Sequence, residues 1–340
     1  MKILVGISGG VDSAYAAAKL KALGHEVEGA VLIMHDYTEL KEAREAAASV
    51  GIPLHEIDCR EAFLAIKENF VSEYLVGRTP NPCIICNERV KFKSLYDFAM
   101  QNGFDKIATG HYASVIEYDG RVSLAFPTDM KKEQTYMLYR LPREILSHLV
   151  LPLADETKEQ IRINAATLGI SAANRADSQE ICFLPDGNHT EYIESVAGKC
   201  SEGDFIDDFG NVLGRHKGII HYTVGQRKGL GISLGERAFV TDINPEKNTV
   251  TLSPKISGDY AVMLTDMVYS GMDAPASEME ITLDAKLRYS AKSVKAQARL
   301  YPDKTAILSF AEPQKSAPGQ SAVLYLDGVV MCGGFIKKAP

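Results

Sequence analysis

The chain has 340 residues, of which 46% are hydrophobic and 24% charged, and a net charge of −7. That length predicts two or three domains, and the balance is that of a soluble globular protein. No apolar run is long enough to span a bilayer, and Met1-Lys2-Ile3 leads directly into a strand pattern. A membrane-spanning or secreted protein is therefore not expected; the expected address is cytoplasmic, with no membrane partner.

In chain order, Ile3-Leu4-Val5-Gly6-Ile7 predicts a buried strand, and the alanine-rich pattern from Ala14 predicts a helix. Between them lies Ser8-Gly9-Gly10-Val11-Asp12-Ser13, which has the chemistry of a phosphate cradle. Paired glycines let the backbone approach an anion without a Cβ in the way, and the helix start offers N–H groups and a positive dipole end. Ser8 and Ser13 add hydroxyls, and Asp12 can hold magnesium or cap the helix. A Walker A loop is excluded, because no lysine follows the last glycine.

Val27 to Ile33 predicts a second strand, Glu39 to Val50 a helix ended by Gly51, Leu54 to Ile57 a third strand and Glu61 to Leu75 a helix. Glu88 to Asn102 predicts a helix closed by Gly103. Lys106-Ile107-Ala108-Thr109 predicts a strand running into Gly110-His111-Tyr112, and Glu156 to Leu168 a helix after Asp155. Such alternation implies a parallel sheet covered by helices, with the Ser8 loop and the Gly110-His111 turn on one rim. From about Gly203 onward, short alternating segments such as Thr249-Val250-Thr251-Leu252 and Ala322-Val323-Leu324-Tyr325 replace the helix pattern. The expected organisation is an α/β domain over 1–202, a small β-rich domain over 203–258 and a β-barrel over 259–340.

Six cysteines without a secretory signal read individually as core filler, ligand or reactive thiol. Cys83 and Cys86 form a C-x-x-C in Thr79-Pro80-Asn81-Pro82-Cys83-Ile84-Ile85-Cys86-Asn87, a proline-rich loop opening onto the Glu88 helix, whose dipole favours a thiolate. Cys182 lies in Asp177-Ser178-Gln179-Glu180-Ile181-Cys182-Phe183, whereas Cys59, Cys200 and Cys332 read as core filler. The pair at 83 and 86 is also half of a zinc site, but no second pair completes it. Net charge argues against a nucleic-acid partner, yet residues 280–340 carry nine Lys and Arg against five Asp and Glu. Arg215-His216-Lys217 and Arg227-Lys228 form a second basic island. Such islands can meet a phosphate backbone locally, the alternative being solvated surface charge.

SGGVDS, NPCIICNERVKF, ATGHYA, KEQTYML, SQEICF, GRHKGIIHYTVGQRKGLG and APGQSAVLY occur in that order. The first resembles the pyrophosphate-binding loop of the N-type ATP pyrophosphatases, and the whole series resembles the tRNA-specific 2-thiouridylases over nearly the full chain. The resemblance implies an adenine nucleotide alpha-hydrolase-like α/β domain, then the β-rich domain and a tRNA-contacting barrel. It implies a sulfurtransferase that uses ATP and Mg2+ to adenylate the 2-oxygen of the wobble uridine of tRNA and replace it with sulfur. Cys182 is then the persulfide carrier, and Cys86 the nucleophile able to form a disulfide bond with it. Gly6, Ile7, Ser8, Gly9, Gly10, Val11, Asp12, Ser13, Met34 and Gly110 surround ATP. Asn81, Pro82 and Cys83 meet the target base, which must leave the anticodon stack. His111, Lys132, Glu133, Gln134, Arg288, Tyr289 and Gln320 meet tRNA. Sulfur arrives from an upstream persulfide donor, a cysteine desulfurase or a relay protein.

Two positions depart from the family pattern. Cys83 stands where some relatives carry Asp, which opens a second route in which Cys83, Cys86 and Cys182 hold a 4Fe-4S cluster that delivers the sulfur. Glu133 stands where Asp is usual. Other readings of the same residues are a small-molecule ATP-dependent ligase built on the loop and a zinc-stabilised RNA-binding module.

Overall fold

The computed structural model describes residues 1–36, 38, 40–173, 181–184, 187–232, 237–255 and 258–337. Glu39 of the second predicted helix, the Asp177 to Glu180 approach to Cys182 and Lys338 of the basic tail lie outside the described residues.

The first part of the chain alternates as its periodicity predicts: β1 (Lys2–Gly6), α1 (Val11–Ala22), β2 (Glu26–Ile33), α2 (Leu40–Val50), β3 (Leu54–Asp58) and α3 (Arg60–Leu75). Next come α4 (Pro82–Cys86), a π-helical turn (Asn87–Lys91), α5 (Phe92–Gln101) and β4 (Lys106–Ala108). A hairpin, β5 (Ser114–Tyr118) and β6 (Arg121–Ala125), precedes α6 (Thr135–Leu138), α7 (Arg143–Ser147), β7 (Leu149–Val150), α8 (Lys158–Thr167) and α9 (His189–Ala197). The parallel sheet has the order β3-β2-β1-β4-β7. Ile3, Leu4 and Val5 are fully buried because helices cover both faces. The strand order reverses between β1 and β4, and ligands bind at the carboxyl ends of strands at such a reversal.

Two helix starts differ from the sequence reading. The proline-rich run before Glu88 is itself helical: Pro82 occupies the first helical position, and the Asn81 side chain accepts from the Cys83 N–H at 3.2 Å. A proline there loses nothing, since that N–H has no intrahelical partner, and Asn is a strong cap. Cys83 and Cys86 thus sit in a helix, not a loop. The α8 helix starts later than expected because Thr157 and Gln160 close a reciprocal capping box.

The β-rich middle is a sheet of β8 (Gly203–Ile206), β9 (Val212–His216), β10 (Phe239–Asn244) and β11 (Thr249–Ser253), in the order β10-β11-β8-β9. The last part contains β12 (Asp259–Tyr269), β13 (Met279–Lys286), β14 (Val294–Leu300), β15 (Ala306–Gln314), β16 (Ser321–Leu326) and β17 (Val329–Lys337). Because β12 pairs with both β15 and β17, the six strands close into a barrel. Ala125 of β6 pairs with Val329 of β17, so the early hairpin extends the barrel's sheet. Common cores join the three parts. Leu4, Ile107 and Tyr136 share one with Val323, Tyr325 and Val330, while Phe63, Cys86 and Phe183 share another with Phe205, Val240 and Val250. No described helix is long and apolar enough to cross a membrane.

Candidate active site

The loop after β1 folds as an anion cradle. Gly9 holds a φ of +83°, and an added Cβ would come within 2.7 Å of Glu42 Cβ on α2, so turn and packing both demand glycine. Gly10 precedes α1 with no side-chain cap, so the leading N–H groups and the positive dipole end are left for a ligand. The Ser8 N–H donates to Ser13 Oγ at 3.2 Å, and Ser13 Oγ donates to the Gly10 carbonyl at 3.0 Å. Ile7 and Val11 are buried beneath the loop and can meet a ligand only through their backbone. Gly110 presses on the same turn: a Cβ there would stand 2.6 Å from the Asp12 carbonyl carbon.

Asp12 does not cap α1. Lys158 Nζ donates to both of its carboxylate oxygens at 2.8 and 2.7 Å, and the Tyr112 hydroxyl donates at 2.7 Å. A magnesium ion on Asp12 therefore has to displace Lys158; one carboxylate plus phosphate oxygens is an ordinary donor set for that ion. Sequence reasoning missed Lys158, although the absent Walker lysine was a signal. A phosphate-binding loop is commonly served by a cation, and α8 brings Lys158 to this loop from across the fold.

One thiol stands at the carboxyl edge of the sheet that carries this loop. Cys86 is buried at the end of α4, its Sγ 3.8 Å from the sulfur of Met34, which follows β2. Burial pushes the Cys86 thiol up to about 12; Lys91 opposes the rise, and Cys182 and Cys83 add to it. Cys182 is exposed as a residue, yet desolvation of its sulfur raises the thiol, with Lys91 opposing and Cys83 adding. Lys91 thus opposes the rise at both thiols. Phe183 anchors the Cys182 segment through edge contacts with Phe63, Phe70 and Tyr192, at 5.6, 5.3 and 5.3 Å between centroids. The His111 ring lies 5.4 Å from that of Phe92, and its Nδ1 is 2.9 Å from Thr109 Oγ1. Burial and then Lys91 push its imidazole down to about 3, so it is neutral at pH 7.

Among the described residues no three of His, Cys, Asp and Glu stand close enough together to hold a metal ion. The exposures also set a reactivity order. Iodoacetamide at neutral pH should alkylate exposed Cys83 at least about tenfold faster than Cys86, whose thiol is buried and protonated, as peptide mass spectrometry would read.

The residues expected on tRNA divide into two groups. Arg288 and Tyr289 are exposed on the barrel, and Cys83 is exposed while Pro82 beside it is buried. Others are engaged inside the protein. Asn81 caps α4, Gln134 Oε1 accepts from the Tyr112 N–H at 2.9 Å, and Gln320 Nε2 donates to the Thr79 carbonyl at 2.6 Å. Glu133 is 4% exposed and points inward, its carboxylate taken up by Lys286 of β13 at 2.6 Å and by Thr135. Lys286 in turn lies 5.7 and 5.3 Å from the ring centroids of Tyr136 and Tyr289. Its charge, counted with the basic tail, is spent on Glu133.

Family models described as the tRNA methyl transferase HUP domain, the tRNA methyl transferase PRC-barrel domain and the aminomethyltransferase beta-barrel domain match residues 1–186, 190–254 and 261–336. The tRNA-specific 2-thiouridylase MnmA of Clostridium perfringens is 42% identical over 359 aligned residues, covering 99% of this chain and 98% of that protein. The protein of the same name from Lachnoclostridium phytofermentans is 42% identical, with 99% of each chain covered. MnmA 1 of Clostridium tetani is 42% identical, covering 99% of this chain and 97% of its own. A likeness running through three successive domains at that identity leaves one assignment: the chain belongs to the tRNA-specific 2-thiouridylase family.

Proposed function

We propose that this chain catalyses the ATP-dependent 2-thiolation of the wobble uridine of tRNA. The reading is supported above all by one observation: the sheet edge that carries the uncapped start of α1 also carries Met34, with the Cys86 sulfur 3.8 Å from it, and Gly110 packs on the α1 turn. Uridine O2 attacks the α-phosphorus of ATP, and pyrophosphate leaves into the α1 cradle, where backbone N–H groups, the helix dipole and the Lys158 ammonium offset its charge. The outer sulfur of a Cys182 persulfide adds at C2, and AMP departs. Cys86 then loses its proton and attacks Cys182 Sγ. The sulfur–sulfur bond breaks, sulfur stays on the base as a thiocarbonyl, and a Cys86–Cys182 disulfide is left for a dithiol reductant. The persulfide itself comes from an upstream desulfurase or relay protein.

A small-molecule ligase on the same cradle would leave the thiols without a task. The two are separated by measuring pyrophosphate release with and without unmodified tRNA, alongside sulfur incorporation from a persulfide donor. Release should require tRNA, and sulfur should appear in it. Release driven by an amino acid or free nucleotide alone would overturn the reading.

A further inference from the structure

The segment carrying Cys83 and Cys86 is gripped by the barrel at both ends. Upstream, the Thr79 N–H donates to the Pro318 carbonyl at 3.0 Å, and Gln320 returns a bond to the Thr79 carbonyl. The backbones approach so closely that a Cβ on Gly319, at φ +88°, would stand 3.0 Å from Arg78 Cβ. Downstream, Arg140, with a side chain 4% exposed, bridges Glu88 and the barrel. Its Nε and Nη2 donate to the two Glu88 oxygens at 2.8 and 3.2 Å. Its Nη1 and Nη2 donate to the carbonyl and carboxylate of Asp266 at 2.9 Å each. The guanidinium carbon lies 4.8 Å from the ring centroid of Phe335 on β17. Asp266 sits at the bulge of β12 with a φ of +53°, a conformation that presents both of its oxygens to Arg140.

Glu88 lies in the π-helical turn that directly follows Cys86. Such a turn carries one residue more than an α-helical path and persists only where surrounding structure holds it. Were it to relax, α4 would rotate by about 100° relative to α5, one residue's worth of helix, and Cys86 would leave Met34. A buried charge bridge is poor value as stabilisation alone, whereas fixing register is its best attested use. We infer that Arg140 is a positioning residue through which the barrel holds Cys86 in register with Cys182, so the barrel completes the sulfur-transfer site as well as offering an RNA surface. This rests on the sulfur-transfer reading above.

The test uses the full chain carrying Arg140→Lys, which keeps the charge and loses the fork. The turnover number for sulfur transfer should fall about 100-fold, with KM for tRNA and ATP and tRNA-dependent pyrophosphate release held within about threefold. Diamide-trapped Cys86–Cys182 disulfide should fall in parallel. Unchanged sulfur transfer, or equal loss of pyrophosphate release, would overturn the inference. Asp266→Asn tolerates the left-handed backbone and releases only the half-exposed barrel end; it should show the same split at about tenfold, and its absence would count equally against the idea. If the unsubstituted protein itself fails to thiolate tRNA, the proposed function falls, and disulfide trapping in the two variants still decides the role of Arg140.

Discussion

Replacing Cys182 by serine should abolish sulfur transfer to tRNA while tRNA-dependent pyrophosphate release stays within about threefold of the original. A hydroxyl cannot carry a sulfane sulfur, so the loss should exceed about a thousandfold. Activation has no need of the thiol, because the cradle is built by β1, α1 and the Gly110 turn, none of which leans on Cys182. The substitution should also be structurally quiet. Cys182 is exposed, its segment is anchored by the neighbouring Phe183 ring, and surface changes of this size lie within about 0.5 kcal/mol. Joint loss of adenylation and thiolation, with the unfolding midpoint unmoved, would remove Cys182 from the role of sulfur carrier.

What the sequence made legible follows from how far each signal reaches. Buried parallel strands announce themselves as apolar runs, and β1, β2 and β4 lie where those runs are. Asn81-Pro82 is a helix-start pair, but Pro80 beside it gives the stretch the look of a loop, and the C-x-x-C then loses its helical setting. Asp119 and Gly120, both at positive φ between apolar strands, are a local hairpin signal. Its partner is not local: β6 meets Val329, brought there only once the barrel closes. Charged side chains in motifs pose the same difficulty. Glu133 in Lys132-Glu133-Gln134 reads as a surface group, and nothing nearby in sequence reveals that Lys286 will neutralise it in the interior. Lys158 and Arg140 escape notice for that reason too, since each gains meaning from carboxylates that other elements supply.

Asp12→Asn should stop tRNA adenylation and spare tRNA binding, but the Lys158 contact makes the outcome richer than loss of a metal-holding carboxylate. Lys158 has a side chain 10% exposed, and Asp12 neutralises it. Removing one member of a fully buried pair costs about 3–5 kcal/mol, and this partly open one should cost toward the lower end. A lowering of the unfolding midpoint by roughly 6–12 °C should therefore accompany the lost pyrophosphate release, taking about 2–4 °C per kcal/mol for a domain of this size. Adding Lys158→Met removes the ammonium that Asp12 no longer neutralises, so the double variant should regain most of the midpoint. Its adenylation should stay absent, because neither the carboxylate for magnesium nor the cation for pyrophosphate is restored. Recovery of pyrophosphate release together with the midpoint would mean that Asp12 serves the fold alone. Persistent loss in a restored fold leaves Asp12 and Lys158 as the charged pair that parts when the nucleotide arrives.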